Sequence, residues 1–201
     1  MNQVLCATIK ALVEFHNANY DTKLAVKDFV TYNYEDIWGG TREEAIAKVR
    51  EFYGSSHFSE HMTVVPGAKE ALISLKVHFD LVIVTARQEL VHAETHRFVA
   101  EHFPNIFTEV HFANHFLTPE EATRLVSKTK SELCREVGAS ILIDDSLVHA
   151  LDCAKSGLRV FLFDHEGAYG WNKLASDDNE LPTNIERVHQ WSDIVNALMT
   201  F

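Results

Sequence analysis

Basic residues are scarce in this 201-residue chain: 18 Lys and Arg stand against 29 Asp and Glu, a formal net charge of −11. Surfaces that grip a nucleic-acid backbone displace counterions with lysine and arginine, so a long polyanion is excluded as the expected partner. A small anion held by a few local cations is not excluded. Cysteine is rarer still. Cys6, Cys134 and Cys153 are odd in number, far apart and in no CxxC pair, which argues against a disulfide frame or a zinc site and predicts reduced structural thiols. No stretch approaches the roughly 20 apolar residues of a membrane span. The first residues also lack the basic, apolar and small-residue blocks of a secretory signal, so a soluble cytoplasmic protein is the expectation. With 4 Pro and 8 Gly there is no linker-like tract, and the sequence carries no internal repeat either. One principal domain with an appended subdomain is expected.

Two kinds of segment are present. Short β-branched apolar runs occur near 80–86 (DLVIVTA), 108–113 (TEVHFA), 140–145 (SILIDD) and 158–164 (LRVFLFD). The first, third and fourth are nearly continuous in Val, Ile, Leu and Phe, as in strands covered on both faces. Helical patterns separate them. Thr118 with Glu121, and Thr129 with Glu132, have capping-box spacing, while Gly138 and Gly157 stand where a left-handed helix end is wanted. This alternation predicts a doubly wound α/β domain with a mainly parallel sheet. From about 7 to 78 the chain is instead helix-rich. CATIKALVEFHN, TREEAIAKVREFYGSS with Thr41 and Glu44 as a capping box, and PGAKEALISLK with Pro66 at or near its first turn read as amphipathic helices around the aromatic stretch DFVTYNYEDIWGG. An insert of this size predicts a helical cap.

Ligands of open α/β sheets bind outside the carboxyl ends of the strands. There the sequence offers Thr85 after LVIV, and Asp144 with Asp145 after ILI. Each alone could cap the next helix. A hydroxyl beside paired carboxylates suits a phosphate bound together with Mg²⁺, which prefers one or two carboxylates plus substrate oxygens and water.

VIVTAR, then Lys130 in SKTKSELCREVGA, then ILIDDS resemble motifs two, three and four of the haloacid dehalogenase superfamily, in order. The span from about 64 to 164 carries the likeness. FSEHMTVVPGAKEALISLK and VHQWSDIVNAL further resemble its deoxyribonucleotidase-type branch. The resemblance implies that Thr85 hydrogen-bonds a phosphoryl oxygen and that Lys130, with Lys128 a nearby competitor, neutralises charge at the phosphate. It also implies that Arg87 joins Thr85 and Lys130 in binding substrate, and that Asp144 and Asp145 hold Mg²⁺.

The family's first motif is a buried strand ending in Asp-x-Asp, with a nucleophile followed by an acid/base. NQVL aligns with its end, so Asn2 takes the acid/base position and the nucleophile falls one position before Met1. An amide does no acid–base work near neutral pH, and loss of a nucleophile can cost on the order of 10⁶ in rate. The family's central strand would then be missing too, exposing two inner edges. A homodimer, strand exchange, a rearranged sheet or residues outside this numbering would fill that slot.

Twelve histidines invite a metal reading, but His57 with His61 and His111 with His115 lack the HExxH form. Tyr32, Tyr34, Trp38 and Phe58 suit cap packing, with base stacking as the alternative. Trp171, in a loop after the last strand, is a candidate for the site entrance. The expectation is a haloacid-dehalogenase-like core over residues 1–6 and 64–201 with a helical cap over 7–63. It would be a Mg²⁺-dependent phosphohydrolase of a small phosphorylated metabolite, inactive or severely impaired as written. The alternatives are a non-catalytic binder of a phosphometabolite or partner chain, or other chemistry such as dehalogenation on the same fold.

Overall fold

A computed structural model describes residues 1–174 and 180–199. Among the described residues are five short strands, the first four on the apolar runs: β1 (Val82–Thr85), β2 (Glu109–Phe112), β3 (Ile141–Asp144), β4 (Arg159–Phe163) and β5 (Ile185–Val188). β1 pairs with β2, Val82 opposite Glu109, while β3, β4 and β5 form a second sheet in that order, Ile141 opposite Arg159 and Val160 opposite Ile185. Because side chains alternate across a strand, neighbouring residues feed opposite layers. Ile83, Phe161 and Phe163 join one core cluster, and Val84, Val160 and Leu162 join the other.

The first layer contains α1 (Thr8–Tyr20), α5 (Ala68–Leu75) and α9 (Trp191–Met199), contributing among others Leu12, Leu72 and Ile194. The second contains α7 (Lys130–Glu136) and α8 (Leu147–Lys155), contributing Leu133 and Cys153. Layers on both faces make this a doubly wound α/β fold. Cys6, Cys134 and Cys153 are buried and free. Among the described residues, no helix is long and apolar enough to cross a membrane.

The segment between the first residues and β1 holds α1, α2 (Glu35–Trp38), α3 (Arg42–Tyr53), α4 (Ser56–Ser59) and α5, and α6 (His92–His102) links β1 to β2. Thr41 and Glu44 close a reciprocal box at the start of α3, Thr41 Oγ1 accepting from Glu44 N at 3.2 Å and Glu44 Oε2 from Thr41 N at 2.7 Å. The chain leaves and returns through one joint: Val65 N donates to Leu5 O at 3.0 Å and Ala7 N to Thr63 O at 2.8 Å.

Some local expectations shift. Thr129 and Glu132 cap α7, and Gly138 and Gly157 end α7 and α8 at φ +67° and +90°. Thr118 and Glu121 also make their reciprocal bonds, yet only a single 3₁₀ turn, Glu121–Thr123, follows, because that turn buries nothing. Gly67, at φ +77°, precedes the first residue of α5, so Pro66 lies just outside the helix. β5 was absent from the strand list, since Glu186 and Arg187 interrupt its apolar run.

The sheet is the main departure from a continuous α/β layer. Val82, Ile83 and Val84 on β1 and Ile141, Leu142 and Ile143 on β3 face one cavity of about 450 Å³ instead of pairing. Backbone groups on such edges each cost roughly 1–3 kcal/mol if cut off from water.

Candidate functional site

β1 delivers Thr85 and β3 delivers Asp144 to the same end of the molecule, with Asp145 and Ser146 in the turn that starts α8. Lys130 is the first residue of α7, so its stem starts beside the strand ends. Asn2, Thr85, Arg87, Lys130, Asp144 and Asp145 all line one cavity of about 370 Å³. Tyr32, Tyr34 and Tyr53 from the helical segment and Trp171 from the loop after β4 cover it.

Asp144 is 1% exposed and ion-pairs through Oδ2 with the Lys130 Nζ, itself 5% exposed. Its Oδ1 accepts from Ser146 N at 3.0 Å. Burial alone would raise this carboxyl, but the Lys130 charge, helped by His149, overrides it and holds the pKa down at about 2. Asp145 behaves oppositely: burial, then the neighbouring Asp144 charge, push it up to about 6. Burial would lower Lys130, yet the Asp144 and Asp145 charges keep it above the ordinary lysine value. Two carboxylates thus share one side-chain ammonium.

The Asp145 Oδ2 accepts from the Tyr32 hydroxyl and from Trp171 Nε1 at 2.9 Å. Among the described residues its Oδ1 has no hydrogen-bond partner. No group of three metal-ligating side chains occurs among the described residues. The donor set of two adjacent carboxylates, one with an unengaged oxygen and a raised pKa, nevertheless fits Mg²⁺, which completes its octahedron with water and substrate.

Thr85 Oγ1 accepts from Arg87 N at 3.3 Å, leaving its own proton to donate. Arg87 lines the cavity but is 1% exposed and turned inward. Its Nε donates to Asn2 Oδ1 at 2.9 Å, Nη1 to Thr95 Oγ1 at 3.1 Å and Nη2 to Thr8 Oγ1 at 3.4 Å, with the Phe58 ring below. The guanidinium therefore braces Asn2 and the start of α1. Lys128 is spent on Glu136 at 2.7 Å, which leaves Lys130 alone at the site.

Of the aromatics, Tyr32 reaches Asp145, Tyr34 and Trp38 stack at 4.7 Å, and Phe58 is buried. His115 and His149 also line the cavity, their rings 5.3 Å apart. Burial, then the Lys130 charge, lowers His149 to about 4. Sequence reading missed His149. Its signal was its place four residues after Asp145, in the first turn of the helix that the doublet begins.

A family model described as 5′ nucleotidase, deoxy (pyrimidine), cytosolic type C protein (NT5C) matches residues 1–200. No curated protein matches the sequence. Solved structures do match in fold. A predicted phosphatase from Clostridium acetobutylicum aligns at 13% identity and TM-score 0.63, covering 98% of this chain and 94% of that one. A haloacid dehalogenase-like family hydrolase from Streptococcus pneumoniae aligns at 12% identity and TM-score 0.67, over 96% and 93%. A putative hydrolase of the same superfamily from Bacillus subtilis, determined with magnesium bound, aligns at 14% and 0.58, over 97% and 92%.

Proposed function

The chain belongs to the cytosolic type C 5′-nucleotidase family of haloacid-dehalogenase-like proteins, and from that premise we propose that its covered cavity binds a small phosphomonoester of the nucleotide class together with Mg²⁺. What carries this reading is the meeting of Thr85, Lys130, Asp144 and Asp145 around one space at the carboxyl ends of parallel strands.

In this reading Asp144 and Asp145 hold the ion. When bound, Mg²⁺ would supply positive charge to the phosphoryl oxygens. The Thr85 hydroxyl donates to one of those oxygens, and the Lys130 ammonium spreads the remaining negative charge. Arg87 fixes Asn2 and so the chain entering α1. The helical segment of residues 7–63 acts as the cap, with the Tyr32 side shielding the phosphate from bulk water.

Asn2 stands at the position where the family resemblance puts the acid/base. Its amide cannot pass a proton to a leaving alkoxide near neutral pH. Turnover by this chain is accordingly very slow or absent, and a non-catalytic binder of a phosphometabolite is the second reading, favoured by that same amide. The proposed location is the cytoplasm.

The test is paired. Binding of inorganic phosphate and of a pyrimidine deoxynucleoside monophosphate is measured by calorimetry with and without Mg²⁺. Hydrolysis of an aryl phosphate is followed for this chain and for an extended form in which an apolar strand ending in Asp directly precedes Met1 and Asn2→Asp completes the Asp-x-Asp motif. Mg²⁺-dependent binding with turnover only in the extended form supports a phosphohydrolase lineage. Binding with no turnover in either form leaves the non-catalytic reading, and no Mg²⁺-linked binding at all removes both.

A further inference from the structure

We propose that His92 and His96, on the outer face of α6, form a two-histidine chelate for one divalent transition metal, Cu²⁺ most tightly and Ni²⁺ or Zn²⁺ less so. The pair lines neither of the two cavities described above, so this site stands independently of what the phosphate-sized cavity binds.

Three pairs of histidines stand four residues apart, and their surroundings separate them. Residues at that spacing share one face of a helix, whereas an extended chain carries them far apart. His57 belongs to the four-residue α4, and His61 lies beyond its end. His111 is in β2, where its Nε2 meets Glu109 at 2.8 Å, and the His115 Nε2 meets Lys128 O at 3.0 Å. His92 and His96 both lie inside α6, an unbroken helix of 11 residues. Their ring centroids are 4.1 Å apart, closer than the 4.9 Å of His57 and His61. Both residues are exposed, and neither ring has a hydrogen-bond partner among the described residues. The Phe112 ring, at the end of β2, backs the pair at 5.4 Å from His92 and 6.1 Å from His96.

A histidine binds metal through a deprotonated nitrogen. Burial, then the His92 charge, holds His96 below the ordinary imidazole value, so at pH 7.5 its ring is neutral with a free lone pair. Two imidazoles on adjacent turns of one helix offer nitrogen donors without any backbone rearrangement, at the spacing that zinc enzymes use. Such donors suit Cu²⁺, Ni²⁺ and Zn²⁺, whereas Mg²⁺ takes oxygen. Water completes the shell, and a net charge of −11 favours a cation at the surface. Thr95, on the same turns of α6, accepts Arg87 Nη1 through Oγ1 at 3.1 Å. A metal clamped across these turns therefore steadies the arginine that holds Asn2.

The experiment titrates Cu²⁺, Ni²⁺ and Zn²⁺ separately into the untagged 201-residue chain at pH 7.5 with Mg²⁺ in excess. Calorimetry gives affinity and stoichiometry, and electron paramagnetic resonance counts the nitrogens on Cu²⁺. The expected tightest site holds one ion per chain through two nitrogens and raises the melting temperature. His92→Gln and His96→Gln should each weaken it at least 10-fold, since even groups outside a metal's direct ligands are worth 10–100-fold. His57→Gln and His61→Gln should leave it unchanged. Spacing is then tested at a constant number of histidines. His96→Gln with Arg97→His moves the second ring off the face and should stay weak, while His92→Gln with Ala100→His restores the four-residue spacing one turn later and should regain binding.

A tightest site unchanged in both His92→Gln and His96→Gln overturns the proposal. Loss in only one of them means a single-imidazole adduct and also overturns it. So does one ion per two chains with a metal-dependent dimer in sedimentation, because the ion then belongs to an interface. All the substituted side chains are exposed, and circular dichroism checks that each variant keeps its helices.

Discussion

Two buried acidic centres lie at the carboxyl ends of neighbouring strands. Asp164, immediately after β4, is 0% exposed and meets Arg187 Nη1 at 3.0 Å, the Lys173 ammonium and Tyr169 N at 2.9 Å. One carboxylate there has two cations. The Asp144–Asp145 pair, at the end of β3, has two carboxylates and one side-chain cation in contact, Lys130. The first centre is electrostatically complete, and it ties the loop after β4 to β5. The second is short of positive charge, and its two carboxyls answer by moving apart, one down to about 2 and the other up to about 6. Topological position alone does not make a site: a shortage of countercharge separates a carboxylate open to a cation from one already used by the fold.

The largest expected effect comes from breaking the complete centre. Asp164→Ala strands Arg187 and unties Tyr169, and should cost about 4 kcal/mol in urea unfolding, with Mg²⁺ affinity of the surviving folded protein unchanged. If stability holds, the contrast between the centres is wrong.

The second effect is the pH profile of the incomplete centre, followed in EDTA. Asp145 has a folded pKa of about 6, above its ordinary value, so the native state holds this proton more tightly than the unfolded chain. Stability from this group is full below about pH 4 and is lost as pH rises to 6, by at most about 3 kcal/mol. Asp145→Asn should flatten that fall. Asp144, depressed to about 2, acts in the opposite sense, giving stability that disappears only below about pH 4, so its contribution should survive in Asp145→Asn. Asp144→Asn, by contrast, should weaken Mg²⁺ binding by more than about 100-fold, since even groups outside a metal's direct ligands change affinity 10–100-fold.

The same two centres show what could be read before the structure. Lys130 was read from the family resemblance, whereas Thr85 and the Asp doublet were legible from local pattern, each at the end of an apolar run. Four strands were legible for the same reason. β5 was not, because Arg187 breaks its apolar pattern in order to serve Asp164, a contact 23 residues away that no local window contains. The inward turn of Arg87 was equally hidden, since its acceptors Asn2 and Thr8 lie 85 and 79 residues distant. The broken sheet came from the family likeness, not from periodicity, which reads strands one at a time and says nothing about their neighbours.

The smallest effect sharpens the comparison most. Tyr32 is 113 residues from Asp145, yet its hydroxyl donates to the same Oδ2 that receives Trp171 Nε1. This bond favours the ionised carboxyl, partly replacing the cation that Asp164 has and Asp145 lacks. Tyr32→Phe should therefore move the Asp145 midpoint further up and cost about 1 kcal/mol at pH 8, with less at pH 4, where the carboxyl is already protonated. Saturating Mg²⁺ should erase most of the difference, because the ion takes over the charge that the hydroxyl had been opposing. A Tyr32→Phe deficit equal at both pH values and indifferent to Mg²⁺ would mean that Tyr32 merely packs the cap, and that Asp145 feels no shortage for a donor to relieve.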